Sequence, residues 1–296
     1  MIIAAIDIGS NAARLLITEV TVTSKAPPVF RKLELFRVPL RLGFDVFETK
    51  KISPERIDMF SDTMQAFHHL MKAYKVQHYR AYATSAMRDA ENAKEVSSYI
   101  LSKSGIEIEV ISGDLEANLI YENHVAENMD KGNSYLYIDV GGGSTEVSLF
   151  SNGKLFFKKS FPIGTIRILK NQVDDNTWNE VKETIRLVTK NHKSVVAIGS
   201  GGNINKVFSL SKRKDGKSLP LELLRQYHKE LSLQTVQQRI ENYGFRADRA
   251  DVIVPALSIY INFMRSANAT EIFVPKIGLA DGLIHHIYDE VIAAKK

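Results

Sequence analysis

The sequence predicts an α/β protein built from two related halves that face one cleft. Strand-like runs alternate with helical patterns along the chain, and one Asp-Gly segment occurs twice, as IDIGSNAARLLI at 6–17 and IDVGGGSTEVSL at 138–149. With 296 residues, 44% of them hydrophobic, the chain is long enough for two domain cores. Two ordinary hairpins are the alternative reading of the repeat, but hairpins alone do not require an Asp in register in both copies.

Apolar and β-branched runs that are bounded by Gly, Asn, Asp or Ser predict the strands. They lie near 2–7, 14–22, 29–38, 79–84, 107–111, 135–139, 145–150, 154–161, 195–199 and 271–274.

Helical spacing of apolar residues predicts the helices. Ser53 and Pro54 are typical of an N-cap and a first helical turn, and the apolar residues that follow recur at helical spacing from Ile57 to Met71. Gly244 is a plausible helix stop. The remaining helices are predicted at 92–103, 114–128, 163–171, 176–190, 220–230, 233–243, 251–266 and 279–293.

Composition excludes several classes of site. The absence of cysteine rules out disulfides, Cys-ligated zinc and a thiol nucleophile. The apolar start lacks a basic leader and contains Asp7, and no run reaches the length of a membrane span, so we expect a cytoplasmic protein. A net charge of +5 is compatible with polyanionic substrates and decides little alone.

The segment MDKGNS at 129–134 is the predicted boundary between the halves. We therefore expect one domain at 1–128 and another at 129–296, with a C-terminal helix at about 279–296 that packs back on the first domain. The loop-like stretch 209–220 carries four basic residues, which form either a solvated face or a substrate contact.

Three glycine-rich turns are candidate anion sites. Asp7 and Asp139 each end a predicted strand, and the small turns that follow let backbone N–H groups approach an anion. The third, AIGSGGNINKV at 197–207, runs from a strand into a helix N-terminus and matches neither a dinucleotide-binding nor a P-loop spacing. Simple strand–helix packing remains its alternative. The predicted phosphate-binding residues are Gly9, Ser10, Asn11, Arg14, Gly141, Gly142, Gly143, Ser144, Thr145, Gly201, Gly202 and Asn203.

The order of these turns resembles the actin, Hsp70 and sugar-kinase superfamily, in which two ribonuclease-H-like domains enclose a phosphate chain. A closer resemblance is to the Ppx/GppA family of exopolyphosphatases and guanosine pentaphosphate phosphohydrolases, in its short two-domain form. The segments that carry it are DIGSNAARLLI, RLG at 41–43, ATSAMRDAEN at 83–92, ISGDLEANLIY at 111–121, DVGGGSTEVSLF at 139–150, GSGGN at 199–203 and ADRADVIVPAL at 247–257.

The resemblance implies an actin-like fold, hydrolysis of terminal phosphate from polyphosphate, Mg²⁺ or Mn²⁺ as cofactor, and a homodimer without DNA or membrane partners. It also implies that Glu116 is the catalytic base and that Arg88 grips phosphate, as a guanidinium can do bidentately. As an alternative, Asp114 and Glu116 are acids that complement a helix start. The implied metal ligands are Asp7, Asp139 and Glu146, whose hard oxygens suit Mg²⁺.

Other residues are weaker candidates. For Arg14, Arg41 and Arg167, phosphate contact and structural ion pairing are equally open, while Lys206 follows the third turn and could reach outward. The adjacent pairs His68–His69 and His285–His286 do not face one ion, and we expect nonmetal roles for them.

Three positions depart from the usual family pattern. Ala280 and Asp281 replace Arg and Glu, and Asn203 stands where Thr is frequent. Guanosine pentaphosphate hydrolysis is the first alternative function. A noncatalytic sensor is disfavoured by the intact acids, and an ATP-using kinase by the lack of a sugar-pocket signature.

Overall fold

The structure of the protein is a computed structural model, which describes residues 1–23, 26–121, 132–192, 194–275 and 278–294. Within these residues the strands are β1 (Ile2–Ile8), β2 (Ala13–Thr23), β3 (Ala26–Val38), β4 (His78–Ala83), β5 (Glu109–Val110), β6 (Ser134–Val140), β7 (Thr145–Ser151), β8 (Lys154–Phe161), β9 (Val195–Ser200), β10 (Leu219–Pro220) and β11 (Glu271–Phe273). The helices are α1 (Leu42–Thr49), α2 (Pro54–Ala73), α3 (Ser85–Asp89), α4 (Ala93–Ser104), α5 (Gly113–Tyr121), α6 (Thr165–Leu169), α7 (Asp175–Thr189), α8 (Gly202–Leu210), α9 (Leu221–Ser232), α10 (Val236–Tyr243), α11 (Ala247–Ala250), α12 (Ile253–Ser266) and α13 (Leu279–Ala293).

The chain divides into two compact units. Unit 1 comprises Met1–Asn123 and Leu279–Lys296, and unit 2 comprises His124–Gly278. The C-terminal helix α13 belongs to unit 1, where it contacts β1, β2 and α5. Residues 129–131 of the predicted boundary 129–134, and the end of the helix predicted at 114–128, lie outside the described residues.

Unit 1 contains a five-stranded sheet in the order β3-β2-β1-β4-β5. The first three strands form an antiparallel meander, and β4 and β5 add parallel to β1. The central strand β1 is almost entirely buried because it is apolar on both faces, as expected for a strand that is covered on both sides. At the edge, β3 exposes apolar residues such as Val29 and Leu35.

Unit 2 repeats this topology. Its sheet has the order β10-β11-β9-β6-β7-β8, in which β6, β7 and β8 form the antiparallel meander and β9 and β11 add in parallel. Helix α12 supplies much of the unit 2 core, including the fully buried Tyr260 and Phe263. The two Asp-Gly segments are therefore the β1–β2 and β6–β7 hairpins of two equivalent sheets.

Two predicted helix starts can be compared with the structure. Ser53 is the N-cap of α2 and Pro54 is its first residue, as predicted, although the Ser53 hydroxyl donates to Asp45 at 2.6 Å and makes no cap hydrogen bond with the helix. Helix α10 begins at Val236 rather than 233, since Thr235 and Gln238 form a capping box. Three helices, α1, α3 and α11, were not predicted, because each is too short to show a clear helical spacing of apolar residues. Among the described residues, no helix is long and apolar enough to cross a membrane.

Candidate functional site

The first glycine turn lies at the carboxyl end of β1 and is held in place by backbone hydrogen bonds. Gly9 N donates to Ala12 O at 3.0 Å and closes the turn. From the start of α1, Arg41 N donates to Asn11 O and Gly43 N donates to Ser10 O. These bonds fix the loop geometry independently of its side chains.

The ATSAMRDAEN segment follows β4, next to the first turn. Thr84 N donates to Ile8 O at 3.1 Å, and the hydroxyls of Ser10 and Ser85 are hydrogen-bonded at 2.8 Å. The ISGDLE segment lies on its other side, where Ile111 N donates to Ala83 O. The carboxyl ends of parallel strands meet at one edge of the sheet, which is where α/β proteins bind ligands.

Arg88 and Glu116 meet at this edge. Arg88 Nη1 donates to Ile111 O at 2.7 Å and lies 3.8 Å from Glu116 Oε2. Glu116 is 7% exposed, in the first turn of α5, and Arg88 keeps part of its side chain accessible. The structure thus pairs the two predicted catalytic residues, with a cation beside a buried carboxylate.

The second glycine turn has the same geometry as the first. Gly141 N donates to Ser144 O at 2.9 Å, which corresponds to the bond from Gly9 to Ala12. Thr145 Oγ1 donates to Ile163 O at 2.6 Å and ties the end of the turn to the segment that leads into α6.

Helix α6 supports this second turn from behind. Ile166 N donates to Gly142 O at 2.8 Å, and Arg167 Nε donates to Gly143 O at 2.6 Å. A Cβ atom on Gly164 would overlap the carbonyl of Gly142, so the close backbone approach requires glycine there. No sequence pattern indicated Gly164, and Arg167 was predicted only as a weak phosphate contact.

The two strand-end aspartates have cross-strand partners of different charge, one positive and one negative. In unit 1 the register pairs Asp7 with Arg14, and Arg14 Nη1 lies 2.6 Å from Asp7 Oδ2. In unit 2 the equivalent register pairs Asp139 with Glu146. Glu146 is buried and accepts a hydrogen bond from Ser160 Oγ at 2.8 Å. Like charges directly opposite each other are unfavourable, so the second pair suits a cation.

The described residues contain no preformed group of three or more His, Asp or Glu side chains that could hold a metal ion. The carboxylates of Asp139 and Glu146 fit the donor chemistry of Mg²⁺, which commonly takes one or two carboxylates and completes its shell with water and substrate phosphate. Asp7 differs from both, because its negative charge is already compensated by Arg14.

The third glycine turn lies against Asp139. Gly201 has a φ of 108°, and a Cβ atom there would be 3.3 Å from Asp139 Oδ1 and from Val140 O. This backbone conformation and this proximity both favour glycine. The strand register also places Ser200 directly beside Asp139.

Two residues of the ADRADVIVPAL segment and its helix hold the third turn. The buried Tyr260 hydroxyl donates to Ser200 O, and Arg249 Nη1 donates to Gly202 O. Burial, and then the negative charge of Asp139, raise the pKa of Tyr260 well above 10.0, so the hydroxyl remains a donor. The ADRADVIVPAL motif, which contains Arg249, was part of the family resemblance, but no sequence signal indicated the role of Tyr260.

The weaker candidates have structural contacts. The Arg41 guanidinium lies 3.8 Å from the centroid of the Phe44 ring, and Lys206 Nζ lies 5.5 Å from that of Phe245. The His285 ring packs on Phe30, and His286 Nε2 is 3.5 Å from Glu290. His68 and His69 are exposed on α2.

The departures from the family pattern are accommodated locally. Asp281 forms an ion pair with Lys32 of β3, and Ala280 is buried at the start of α13. Asn203 is half-buried in the first turn of α8. All three positions therefore fit their surroundings.

A family model described as the Ppx/GppA phosphatase family matches residues 21–291. The chain belongs to this family. The match covers all of unit 2 and most of unit 1, beginning after the first Asp-Gly segment, and it confirms the family resemblance.

Relatives within the Ppx/GppA family differ in length and name. Exopolyphosphatase 1 of Mycobacterium tuberculosis is 24% identical over an alignment of 304 positions, which covers 96% of this chain and 87% of the relative. The bifunctional 3-dehydroquinate synthase/phosphatase of Fusobacterium nucleatum is 30% identical over 195 residues, 63% of this chain and 29% of that protein. The guanosine-5'-triphosphate,3'-diphosphate pyrophosphatase of Pseudoalteromonas translucida is 26% identical, and the match covers 95% of this chain and 57% of the relative.

Solved structures of the Ppx/GppA family show the same fold. An exopolyphosphatase from Cytophaga hutchinsonii aligns with a TM-score of 0.84 and 23% identity over 98% of both chains. A family member from Aquifex aeolicus aligns with a TM-score of 0.76 and 23% identity over 100% of this chain and 99% of its own. The predicted α/β fold of actin-like domains is confirmed.

Proposed function

We propose that this Ppx/GppA protein is an exopolyphosphatase, a phosphoanhydride hydrolase that releases terminal orthophosphate from inorganic polyphosphate. The observation that carries the proposal is the buried Glu116 carboxylate beside Arg88, at the edge of the sheet where the first glycine turn lies. The match to exopolyphosphatase 1, which covers most of both chains, supports the choice of substrate.

In the proposed reaction, Glu116 accepts a proton from a water molecule while the oxygen of that water attacks the terminal phosphorus. The bridging P–O bond breaks, and its electron pair leaves with the shortened chain. Arg88 binds the terminal phosphate, since a guanidinium offers several donors to phosphate oxygens. Its bond to Ile111 O holds the arginine in position before substrate binds.

The glycine turns supply the uncharged part of phosphate binding in this proposal. The loop residues Ser10, Asn11 and Gly142 to Thr145 present backbone N–H groups, whereas the N–H groups of Gly9 and Gly141 close the turns. The α8 start presents the N–H groups of Gly202 and Asn203. The helix α6 contacts on Gly142 and Gly143 hold the second turn in a binding geometry.

We propose Asp139 and Glu146 as the residues that hold a divalent cation, Mg²⁺ or Mn²⁺. When bound, the ion would neutralise phosphate charge. Asp7 was expected in the same ligand set. Its 2.6 Å ion pair favours a different role, that of orienting Arg14 toward phosphate. We further propose a cytoplasmic homodimer without DNA or membrane partners, on the basis of the family resemblance.

Removal of the 5′-phosphate from guanosine pentaphosphate is the second candidate. The pyrophosphatase relatives support it, because two of them match over 95% and 97% of this chain. Both match over less than 60% of the relatives' own length. Polyphosphate therefore remains the first choice.

A side-by-side assay tests the proposal. Phosphate release by the purified chain is measured with long polyphosphate, tripolyphosphate, guanosine pentaphosphate and ATP over a Mg²⁺ series. We expect the highest kcat/KM with long polyphosphate and no release without a divalent cation. Preferential release from guanosine pentaphosphate would favour the second candidate, and equal turnover of ATP and polyphosphate would reject both.

A further inference from the structure

The two sheets contain equivalent rows of side chains with opposite net charge. Across the unit 1 meander the register aligns Asp7 with Arg14 and Arg14 with Arg37. Across the unit 2 meander it aligns Asp139 with Glu146 and Glu146 with Ser160. The unit 2 row is acidic, whereas the unit 1 row has one more positive than negative charge.

Arg14 and Arg37 lie side by side on one face of the unit 1 sheet. Directly opposite residues on antiparallel strands place their Cβ atoms about 4.5–5.5 Å apart, and like charges there are unfavourable. Asp7 offsets part of this cost through its contact with Arg14. The register therefore places two guanidinium side chains at neighbouring positions on one face of the sheet.

The arginine pair lies one register step from the first glycine turn. The neighbouring register pair is Ala13 with Val38, and Arg41, three residues beyond β3, donates its N–H to Asn11 O. Both arginines are partly accessible to solvent. A ligand whose end occupies the turn could therefore extend along β2 and β3 and contact both guanidiniums.

We infer that Arg14 and Arg37 form a phosphate subsite that binds the non-reacting phosphates of a linear phosphate chain. The inference rests on the proposed function and adds Arg37 as a residue for chain binding. Two adjacent guanidiniums suit successive phosphates, because each offers a planar fork of donors. A single orthophosphate would gain much less from the pair than a chain would.

The test compares Arg37→Gln with Arg31→Gln. Arg31 is a matched control on the same strand, where it is exposed and ion-paired with Glu19 at 2.6 Å. KM and kcat for long polyphosphate are measured at several salt concentrations, and calorimetry measures the binding of tripolyphosphate and of orthophosphate without hydrolysis.

For Arg37→Gln we expect KM to rise about tenfold, as for a lost charge-assisted hydrogen bond, with kcat within about twofold. The salt dependence of KM should become shallower because one screened charge contact is gone. Tripolyphosphate binding should weaken more than orthophosphate binding. Arg31→Gln should match the parent protein in every measurement.

Equal effects of the two substitutions would overturn the subsite. A kcat loss without a change in KM would overturn it too, because it would place Arg37 in the chemical step. Thermal melting identifies a folding defect, and in that case Arg37→Lys, which keeps the charge, must bind tripolyphosphate more tightly than Arg37→Gln. If the parent protein hydrolyses no phosphate chain, the proposed function fails, while the calorimetric comparison still tests the subsite.

Discussion

The Arg88 guanidinium lies 3.8 Å from the Glu116 carboxylate while it also donates to the carbonyl of Ile111. The hydrogen bond to Ile111 O holds the Arg88 guanidinium close to Glu116 and leaves other N–H groups of the guanidinium for a ligand. A fixed cation beside a buried carboxylate is an arrangement suited to a base that acts next to a bound phosphate.

Replacing Glu116 with Gln should lower turnover by about 10²–10⁴-fold, because the amide retains the size of the side chain but cannot accept the proton. Polyphosphate binding should persist. Asp114→Asn is the control, since Asp114 lies in the same helical turn and is exposed. Phosphate release and equilibrium binding check both variants. Near-normal turnover of a folded Glu116→Gln protein would reduce Glu116 to a helix-start acid.

The strand-end aspartates should respond differently to neutralisation. Asp139→Asn removes charge from the acidic pair with Glu146, so about tenfold more Mg²⁺ should be needed for half-maximal activity. Asp7→Asn loosens Arg14 instead, and should raise the KM for polyphosphate with little change in the Mg²⁺ requirement. Activity titrations with Mg²⁺ and with substrate separate the two effects. Identical Mg²⁺ shifts in both variants would restore Asp7 to the metal site.

Tyr260→Phe should destabilise the protein by about 1–2 kcal/mol, since Ser200 O loses its buried donor. The third turn beside Asp139 should then be less well fixed, and Mg²⁺ activation should weaken. Tyr243→Phe removes a hydroxyl that bonds Glu230 at the α9–α10 corner, and it should leave Mg²⁺ activation unchanged. Thermal melts combined with Mg²⁺ titrations compare them. If the two variants showed the same Mg²⁺ activation, Tyr260 would have no specific role in positioning the third turn.

Gly164→Ala should reduce kcat/KM by about tenfold or more, because the added methyl overlaps the Gly142 carbonyl and must displace the second glycine turn. Gly278→Ala gives the comparison. Like Gly164, Gly278 lies outside the positive-φ region, but an added Cβ would meet no atom within 4 Å. Steady-state kinetics and melting temperatures measure both, and an active, stable Gly164→Ala protein would contradict the close packing.

Asp45 should make stability fall in acid. Burial raises its pKa, but hydrogen bonds from Ser53 and Arg56 outweigh burial, so the pKa in the folded protein lies below the ordinary 3.8. The unfolded chain therefore binds the proton more readily, and the contribution of Asp45 is present above about pH 4 and is lost as pH falls through the folded pKa.

Asp45→Asn should accordingly lose about 1–3 kcal/mol at neutral pH, the usual range for hydrogen bonds to a charged group, and lose less in acid. Denaturant unfolding at pH 7 and below pH 4 measures the difference. Asp58→Asn is the control, because Asp58 is exposed on α2 and should cause little change at either pH. A loss for Asp45→Asn that does not depend on pH would exclude the ionised carboxylate as its source.

The repeat of Asp, small turn and second strand predicted two related halves, and the relation extends to the hydrogen bonds from Gly9 to Ala12 and from Gly141 to Ser144. Motif order indicated the family that the comparisons confirm. Local patterns succeed here because glycine turns and apolar strands reflect backbone geometry, which depends mostly on neighbouring residues.

Other features depended on residues far apart in sequence. The Ser53 hydroxyl binds Asp45 rather than its own helix, and Gly164 is required by the backbone of Gly142. The contact of Tyr260 with Ser200 crosses 60 positions. Sequence alone determined which residue types reach the strand ends, because alternation and turn chemistry are local. Only the tertiary structure decided that Gly201 lies against Asp139 and that Arg88 lies beside Glu116, because these groups are far apart in sequence and only the fold brings them within a few ångströms.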